Sequence, residues 1–163
     1  MKKLRFNDIT VTISDDFINN ILKYKQTDHS TESGGIILGK VSKNLKCYYF
    51  TDMSIPCKED KSSRLTFIRN RKNAQKVINS YHKNSQGIIN YLGEWHTHPF
   101  SPASPSYEDI RSMKKTYKMS KLICDVLFMI ILGSKGDLFV AFIDKELNLN
   151  QMEEYDYEEV HSK

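Results

Sequence analysis

Two histidines separated by one residue, closing an apolar stretch and followed at once by proline, constrain this chain more than any other feature: Gly93-Glu94-Trp95-His96-Thr97-His98-Pro99. The Ile88-Ile89, Tyr91-Leu92 and Trp95 content before them predicts an extended strand over residues 88–98. Residues i and i+2 of a strand face the same side. His96 and His98 are therefore expected to offer two imidazoles to one point, with Trp95 and Thr97 turned the other way. Pro99, Pro102 and Pro105 stiffen the connection that follows. Beyond it a helix is expected over residues 106–119, with Asp109 in its first turn, where the helix dipole supports a carboxylate.

Two neutral imidazoles and one carboxylate leave the fourth tetrahedral position open to water, the pattern of a catalytic rather than a structural zinc site. Each piece also has a plainer reading. Ser106-x-x-Asp109 ahead of a helix resembles a capping box, in which Asp109 only reaches back to a backbone amide, although such boxes more often carry Glu or Gln. A His-x-His pair alone also occurs as surface or satisfied core residues. The combination is far more specific than either half.

That combination resembles the JAMM, or MPN-plus, metallopeptidases, whose signature is an upstream Glu, then His-x-His-Pro, a Pro-Ser pair, and an Asp separated from the second His by ten intervening residues. His96-Thr97-His98-Pro99, Pro105-Ser106 and Asp109 fall in register, and Glu32 in Thr31-Glu32-Ser33-Gly34-Gly35-Ile36-Ile37-Leu38-Gly39 corresponds to the upstream glutamate. The resemblance covers roughly residues 10 to 143. It implies one zinc ion per chain held by His96, His98 and Asp109, lowering the pKa of water from ~15.7 toward ~7. It implies Glu32 as general base and then acid, and Ser106 as a donor to the tetrahedral oxyanion. Glu32 also reads as a surface carboxylate beside glycines, and Ser106 as a helix N-cap whatever else it does. His29, His82 and His161 have no partners at ligand spacing and read as non-ligands.

The rest of the chain alternates strands and helices without repeats or low-complexity linkers. Residues 9–13 read as a strand, and Ser14 as the cap of a helix with Phe17, Ile18, Ile21 and Leu22 on one face. Strands are expected over 34–41, 46–55, 64–68, 125–132 and 138–143, with a helix over 70–84. The loop Gly133-Ser134-Lys135-Gly136-Asp137 has hairpin chemistry. Helices interspersed with strands, some joined by hairpins, imply a mixed sheet covered by helices on both faces. The resemblance implies the same: an α/β/α sandwich similar to the cytidine deaminases.

At 163 residues the chain is expected to be one domain, residues 1–163, with a short acidic tail from about 152. Residues 153–159, Glu-Glu-Tyr-Asp-Tyr-Glu-Glu, read as frayed and solvated. Lys2, Lys3 and Arg5 are followed by Asn7 and Asp8 rather than an apolar stretch, so no secretory signal is read. The longest apolar run, residues 126–132, falls well short of the ~18 residues of a membrane span. Cys47, Cys57 and Cys124 lack zinc-finger spacing and an even count, and read as reduced thiols of a cytoplasmic protein, with Cys124 in the core. The net charge of +4 is spread among alternating acids and bases, which argues against nucleic acid.

Other His-x-His hydrolases fit poorly. Barrel amidohydrolases need at least ~200 residues, metallo-β-lactamase-like enzymes carry Asp-His where Pro99-Phe100 stands, and zinc deaminases need a Pro-Cys-x-x-Cys that is absent here. JAMM peptidases cleave the amide bond at the C-terminus of ubiquitin or a ubiquitin-like protein. This chain looks most like the stand-alone bacterial members, which are encoded with E1-like and E2-like enzymes, including CBASS-type anti-phage systems where the peptidase releases a conjugated nucleotide cyclase. The leading expectation is a zinc isopeptidase that acts on an extended C-terminal tail, with the polar stretch 58–64 as a flap beside it. The alternatives are a processing peptidase for a sulfur-carrier precursor and a non-catalytic MPN scaffold.

Overall fold

The computed structural model describes residues 1–25, 31–65 and 67–156. Runs of Val, Ile, Phe and Tyr build a nine-stranded mixed sheet from β1 (Lys2–Phe6), β2 (Ile9–Ile13), β3 (Gly34–Val41), β4 (Cys47–Met53), β7 (Asn90–Thr97), β8 (Leu127–Leu132), β9 (Leu138–Ile143), β10 (Leu149–Gln151) and β11 (Glu153–Glu154). Between β4 and β7 come a separate hairpin, β5 (Lys61–Ser62) and β6 (Phe67–Ile68), and the helix α2 (Arg71–Asn84). Two further helices, α1 (Asp15–Leu22) and α3 (Tyr107–Met119), complete the fold. The sheet order is β10-β9-β8-β7-β3-β4-β2-β1-β11, which sets β7 and β3 side by side at its centre. They pair antiparallel, Gly34 opposite His96 and Gly35 opposite Trp95, whereas β7 and β8 run parallel.

Strand alternation divides the core into two faces. On one, Phe17 and Ile21 of α1 meet Ile37, Phe50, Leu92, Trp95, Phe128 and Ile130. On the other, Met113 of α3 packs on Leu127, Met129 and Ile131, while Ala74 of α2 packs on Ile36 and Leu38. Helices on both faces of a mixed sheet make the three-layer α/β/α sandwich expected from the sequence. The Ser14 cap is as read, its Oγ accepting from Phe17 N (3.1 Å), and Asn70, expected as the first residue of the helix, instead caps it, its Oδ1 accepting from Asn73 N (2.9 Å).

A bulge re-aims the histidine strand. Ile37 pairs with Gly93 but Leu38 with Tyr91, so Leu92 is an extra residue on β7. The phase shift puts Tyr91 and Glu94 on one face and Leu92 and Trp95 on the other, as their hydrogen bond and core contacts show. Gly93 sits where the bulge presses against β8: a Cβ there would lie 2.0 Å from the Phe128 carbonyl oxygen.

Three expectations change. The strand read over 64–68 contracts to Phe67–Ile68, paired with Lys61–Ser62 in a hairpin outside the main sheet. The N-terminal strand β1 was not read; it closes a tight hairpin with β2. The segment read as a frayed tail begins as structure, because Glu154 pairs with Leu4, Glu153 with Arg5, and Met152 is buried with its N–H on the Val140 carbonyl (2.9 Å). Residues 157–159 of that segment, along with His29 and His161, lie outside the described residues. No described helix is long and apolar enough to cross a membrane.

Gly93→Ala should destabilise the protein by about 3 kcal/mol, a fall in melting midpoint of about 6–12 °C, because both colliding groups are backbone. A thermal melt within 2 °C of wild type would show that the β7–β8 contact yields.

Candidate metal centre

The first two site residues end β7. The ladder to β8 continues through His98, whose N–H donates to the Leu132 carbonyl (2.8 Å), so the backbone is held extended through both histidines. Trp95 and Thr97 do face away: Trp95 is buried, with its indole N–H on the Ser54 carbonyl (3.1 Å), and Thr97 is buried against Ser33. The proline loop is then pinned by the β8–β9 turn. Asp137 Oδ2 accepts from Ala103 N (2.6 Å), and Ser134 N donates to the Ser101 carbonyl (2.9 Å).

This loop delivers α3 with its first turn against the histidines. Asp109 lies close to both, Oδ1 at 3.3 Å from His96 Nε2 and Oδ2 at 3.1 Å from His98 Nε2, and the two Nε2 atoms are 3.2 Å apart. The capping box is present as well. Ser106 Oγ accepts from Asp109 N (3.1 Å), and Asp109 Oδ2 accepts from Ser106 N (2.8 Å). Capping and a place beside both imidazoles are compatible, since the one carboxylate does both.

The triangle fits a small divalent cation. Ligand atoms about 2.0–2.1 Å from zinc at tetrahedral angles lie about 3.4 Å apart, close to the three edges found here. Two ring nitrogens at 3.2 Å also satisfy each other only with a proton or a cation among them. The side chains are mostly sheltered, at 14%, 11% and 17% exposure for His96, His98 and Asp109. The His98 ring also meets the Pro102 carbonyl, leaving Nε2 for the cluster, an orientation common in metal-binding histidines.

Glu32 arrives from the neighbouring strand. It stands two residues before β3, where Ser33 N donates to Thr97 Oγ1 and Thr97 N to the Ser33 carbonyl, both at 2.9 Å. The β5–β6 hairpin grips its backbone: Glu32 N donates to the Ser63 carbonyl (2.6 Å) and Ser62 Oγ to the Glu32 carbonyl. Glu32 is only 7% exposed. Burial pushes its carboxyl up; His96 and His98 pull it down and Asp109 adds to the rise, with a net upward result. Burial would also raise Asp109, but its bonds with His96, His98 and Ser106 outweigh that and hold it well below the usual carboxylate range. Burial disfavours the charged form of His98, yet the hydrogen bond and charge of Asp109 leave its pKa raised.

Two neighbours, Glu94 and Arg69, escaped the sequence reading. Glu94, two residues before His96, accepts from Arg69 Nε and Nη2 (both 2.6 Å) and from the Tyr91 hydroxyl (3.2 Å). The available signal was a carboxylate in register with two histidines on an otherwise apolar strand. Arg64, in the hairpin loop, stacks over Phe100 at 4.5 Å and links that loop to the histidine turn. His82, read as a non-ligand, lies in the last turn of α2.

The family described as prokaryotic homologs of the JAB domain matches residues 14–143. The chain belongs to that family. Membership bears out the resemblance to the JAMM/MPN-plus peptidases drawn from the motif. The JAB domain here is 33% identical over 135 residues to a CD-NTase/cGAS isopeptidase of Escherichia coli, covering 82% of each chain. It is 28% identical over 142 residues to one of Vibrio cholerae, covering 86% of each. A probable metalloprotease of Sinorhizobium fredii is 28% identical over 105 residues, covering 64% of this chain and 63% of that one. In fold, the domain matches a Desulfitobacterium hafniense protein solved in solution, with a TM-score of 0.63 and 18% identity over 90% of each chain.

Cation uptake by this JAB domain should displace a proton from the His98–Asp109 pair. Because Asp109 raises the His98 pKa, affinity is expected to be level above that value and to fall about tenfold per pH unit below it. Calorimetric titration with zinc between about pH 5.5 and 8, in buffers of different ionisation enthalpy, would count the proton. Affinity independent of pH with no proton released would place the binding elsewhere.

Proposed function

We propose that this chain is a zinc-dependent isopeptidase that hydrolyses the amide joining the C-terminus of one protein to a lysine of another. The observation that carries the reading is the buried Glu32 carboxylate beside the His96, His98 and Asp109 triangle. An acid-base group with a raised pKa next to a sheltered three-ligand cluster is the donor set of metal-assisted amide hydrolysis. In this reading His96, His98 and Asp109 are the zinc ligands. Zinc, when bound, would supply Lewis acidity that lowers the pKa of water and polarises the carbonyl.

The chain's own groups divide the remaining work. A Glu32 oxygen takes the proton of the attacking water and later delivers it to the departing lysine amine, so the products are a carboxyl terminus and a free amine. Ser106 Oγ accepts from Asp109 N, which fixes the hydroxyl and leaves its O–H to donate to the developing oxyanion. The β5–β6 hairpin stands over Glu32 with short strands, and an extended C-terminal tail could pair along it as an added strand.

The named relatives point to the protein on the acyl side. By that analogy the substrate is a conjugate formed through the C-terminus of a CD-NTase, a cyclic-nucleotide synthase, with E1-like and E2-like enzymes making the bond that this chain removes. The setting is then anti-phage defence in the cytoplasm.

The test uses a CD-NTase joined through its C-terminus to the lysine of a marker protein. Zinc-loaded protein should release the marker, a chelator should stop it, and added zinc should restore it. Glu32→Ala should lower kcat by at least about 10³-fold while about one zinc per chain is retained. His96→Ala or Asp109→Ala should lose both zinc and activity, and Ser106→Ala should lose about 10²- to 10³-fold in kcat. Activity surviving in Glu32→Ala, or no cleavage of this or any ubiquitin-like conjugate by the zinc-loaded protein, would sink the reading.

A further inference from the structure

The β5–β6 hairpin is not part of the main sheet, yet it holds the backbone of Glu32 from both sides. Such an excursion needs an anchor if it is to place a carboxylate accurately. Its entry is tied by Asp60, which accepts from Cys57 N (2.7 Å) and from Asn70 N (2.6 Å), closing the base of the loop. Its exit is tied by Arg69, the residue after β6. Both Arg69 Nε and Nη2 meet Glu94 Oε1 at 2.6 Å, and Tyr91 O–H donates to the same oxygen.

This ion pair differs from the others. Among the described residues, and apart from the histidine cluster, each remaining pair has at least one partner 64% or more exposed, whereas Arg69 and Glu94 are 18% and 20% exposed. A sheltered pair with a third hydrogen bond is geometrically fixed and loses much if one partner is removed. Its placement is specific too. Glu94 shares a face of β7 with His96, so the pair joins the hairpin to the strand that presents both histidines. The ring of Phe67, two residues before Arg69, lies where a Cβ on Gly34 would collide with it, and Gly34 pairs with His96.

We propose that Arg69 and Glu94, aligned by Tyr91, are positioning residues: they lock the hairpin to the histidine strand and so set where Glu32 stands relative to His96 and His98. The proposal rests on the reading of Glu32 as the proton-transfer group. Glu94 touches neither substrate nor metal in this account. Its carboxylate acts through Arg69, then the hairpin, then the two backbone bonds at Glu32. A shift of about 1 Å at such a group is enough to cost about 10²-fold in rate.

The experiment pairs turnover of the same CD-NTase conjugate with amide hydrogen exchange in the zinc-loaded protein. Arg69→Met should lower kcat about 10²-fold, and Arg69→Lys, which keeps the charge but not the fork, about tenfold. In both, KM should stay within about threefold, zinc at about one per chain, and exchange of the Glu32 amide should quicken at least about tenfold while β8 amides keep wild-type rates. Unchanged exchange at Glu32 overturns the proposal, as does a fall in kcat accompanied by loss of zinc or by faster exchange in β8. If Arg69→Met does not fold, Arg69→Lys decides by the same readouts. If wild-type protein cleaves no conjugate, the hydrolase reading fails on its own, and exchange at Glu32 still decides whether the clamp exists.

Discussion

The pairing of β3 with β7 is the contact on which the rest of the structure depends. It lies at the middle of the sheet, with α1 over one face and α2 and α3 over the other, so its ladder is shielded from water and its register is fixed on both sides. Reciprocal bonds between Ser33 and Thr97 carry the register past the end of β3. Two residues more or less would bring a different pair of side chains together. With Gly34 opposite His96, the chain just before β3 has no choice but to deliver Glu32 beside the histidines, some sixty positions distant in sequence. Gly34 itself must lack a side chain, since a Cβ would meet both the Phe67 ring and the Trp95 carbonyl at 2.6 Å.

What the sequence made legible follows from how local each signal is. Long periodic elements, β3, β9, α2 and α3, fall within a residue or so of their expected ends, because their apolar periods and caps are written in adjacent residues. The histidine pair and Asp109 were legible for the same reason: strand parity and a stiff loop link them within fourteen positions. Elements that exist only through a distant partner were not. β1 and β11 are edge strands with mixed polar content, and Glu153 and Glu154 read as solvated until Leu4 and Arg5 supply a ladder. The hairpin β5–β6 is two residues a side, and its existence depends on Asp60, Arg69 and the Glu32 backbone rather than on its own propensity. The Arg69–Glu94 pair spans 25 positions with no periodic signature.

The acidic and basic residues show how geometry reassigns a role that composition leaves neutral. Glu94 and Arg69 count as ordinary charges in the sequence, and most charges on this chain do remain on its surface. These two are drawn inward because the Leu92 bulge turns Tyr91 and Glu94 to the same face, where a lone carboxylate among apolar neighbours would be unfavourable without its guanidinium. The same strand face thus carries Glu94, His96 and the approach of Asp109, with cations or ring nitrogens set against carboxylates at each step. The Arg69–Glu94 pair is balanced within itself, so it adds no net charge beside Glu32 and the His96, His98 and Asp109 cluster.

Asp109 gives the last step. A capping box usually carries Glu or Gln at the N3 position that Asp109 occupies, with a side chain one methylene longer. Here Oδ2 takes the Ser106 N–H while facing His98, and Oδ1 faces His96. A carboxylate has enough lone pairs for both duties. The box fixes the carboxylate's orientation without help from any ion, and the helix dipole favours its charge in the first turn. Glutamate would cap equally well, but its extra methylene would carry the oxygens past the 3.1–3.3 Å triangle with the imidazoles. The departure from the usual capping residue is therefore itself a reading of the site: the side chain is as short as it is because it has a second set of partners to meet.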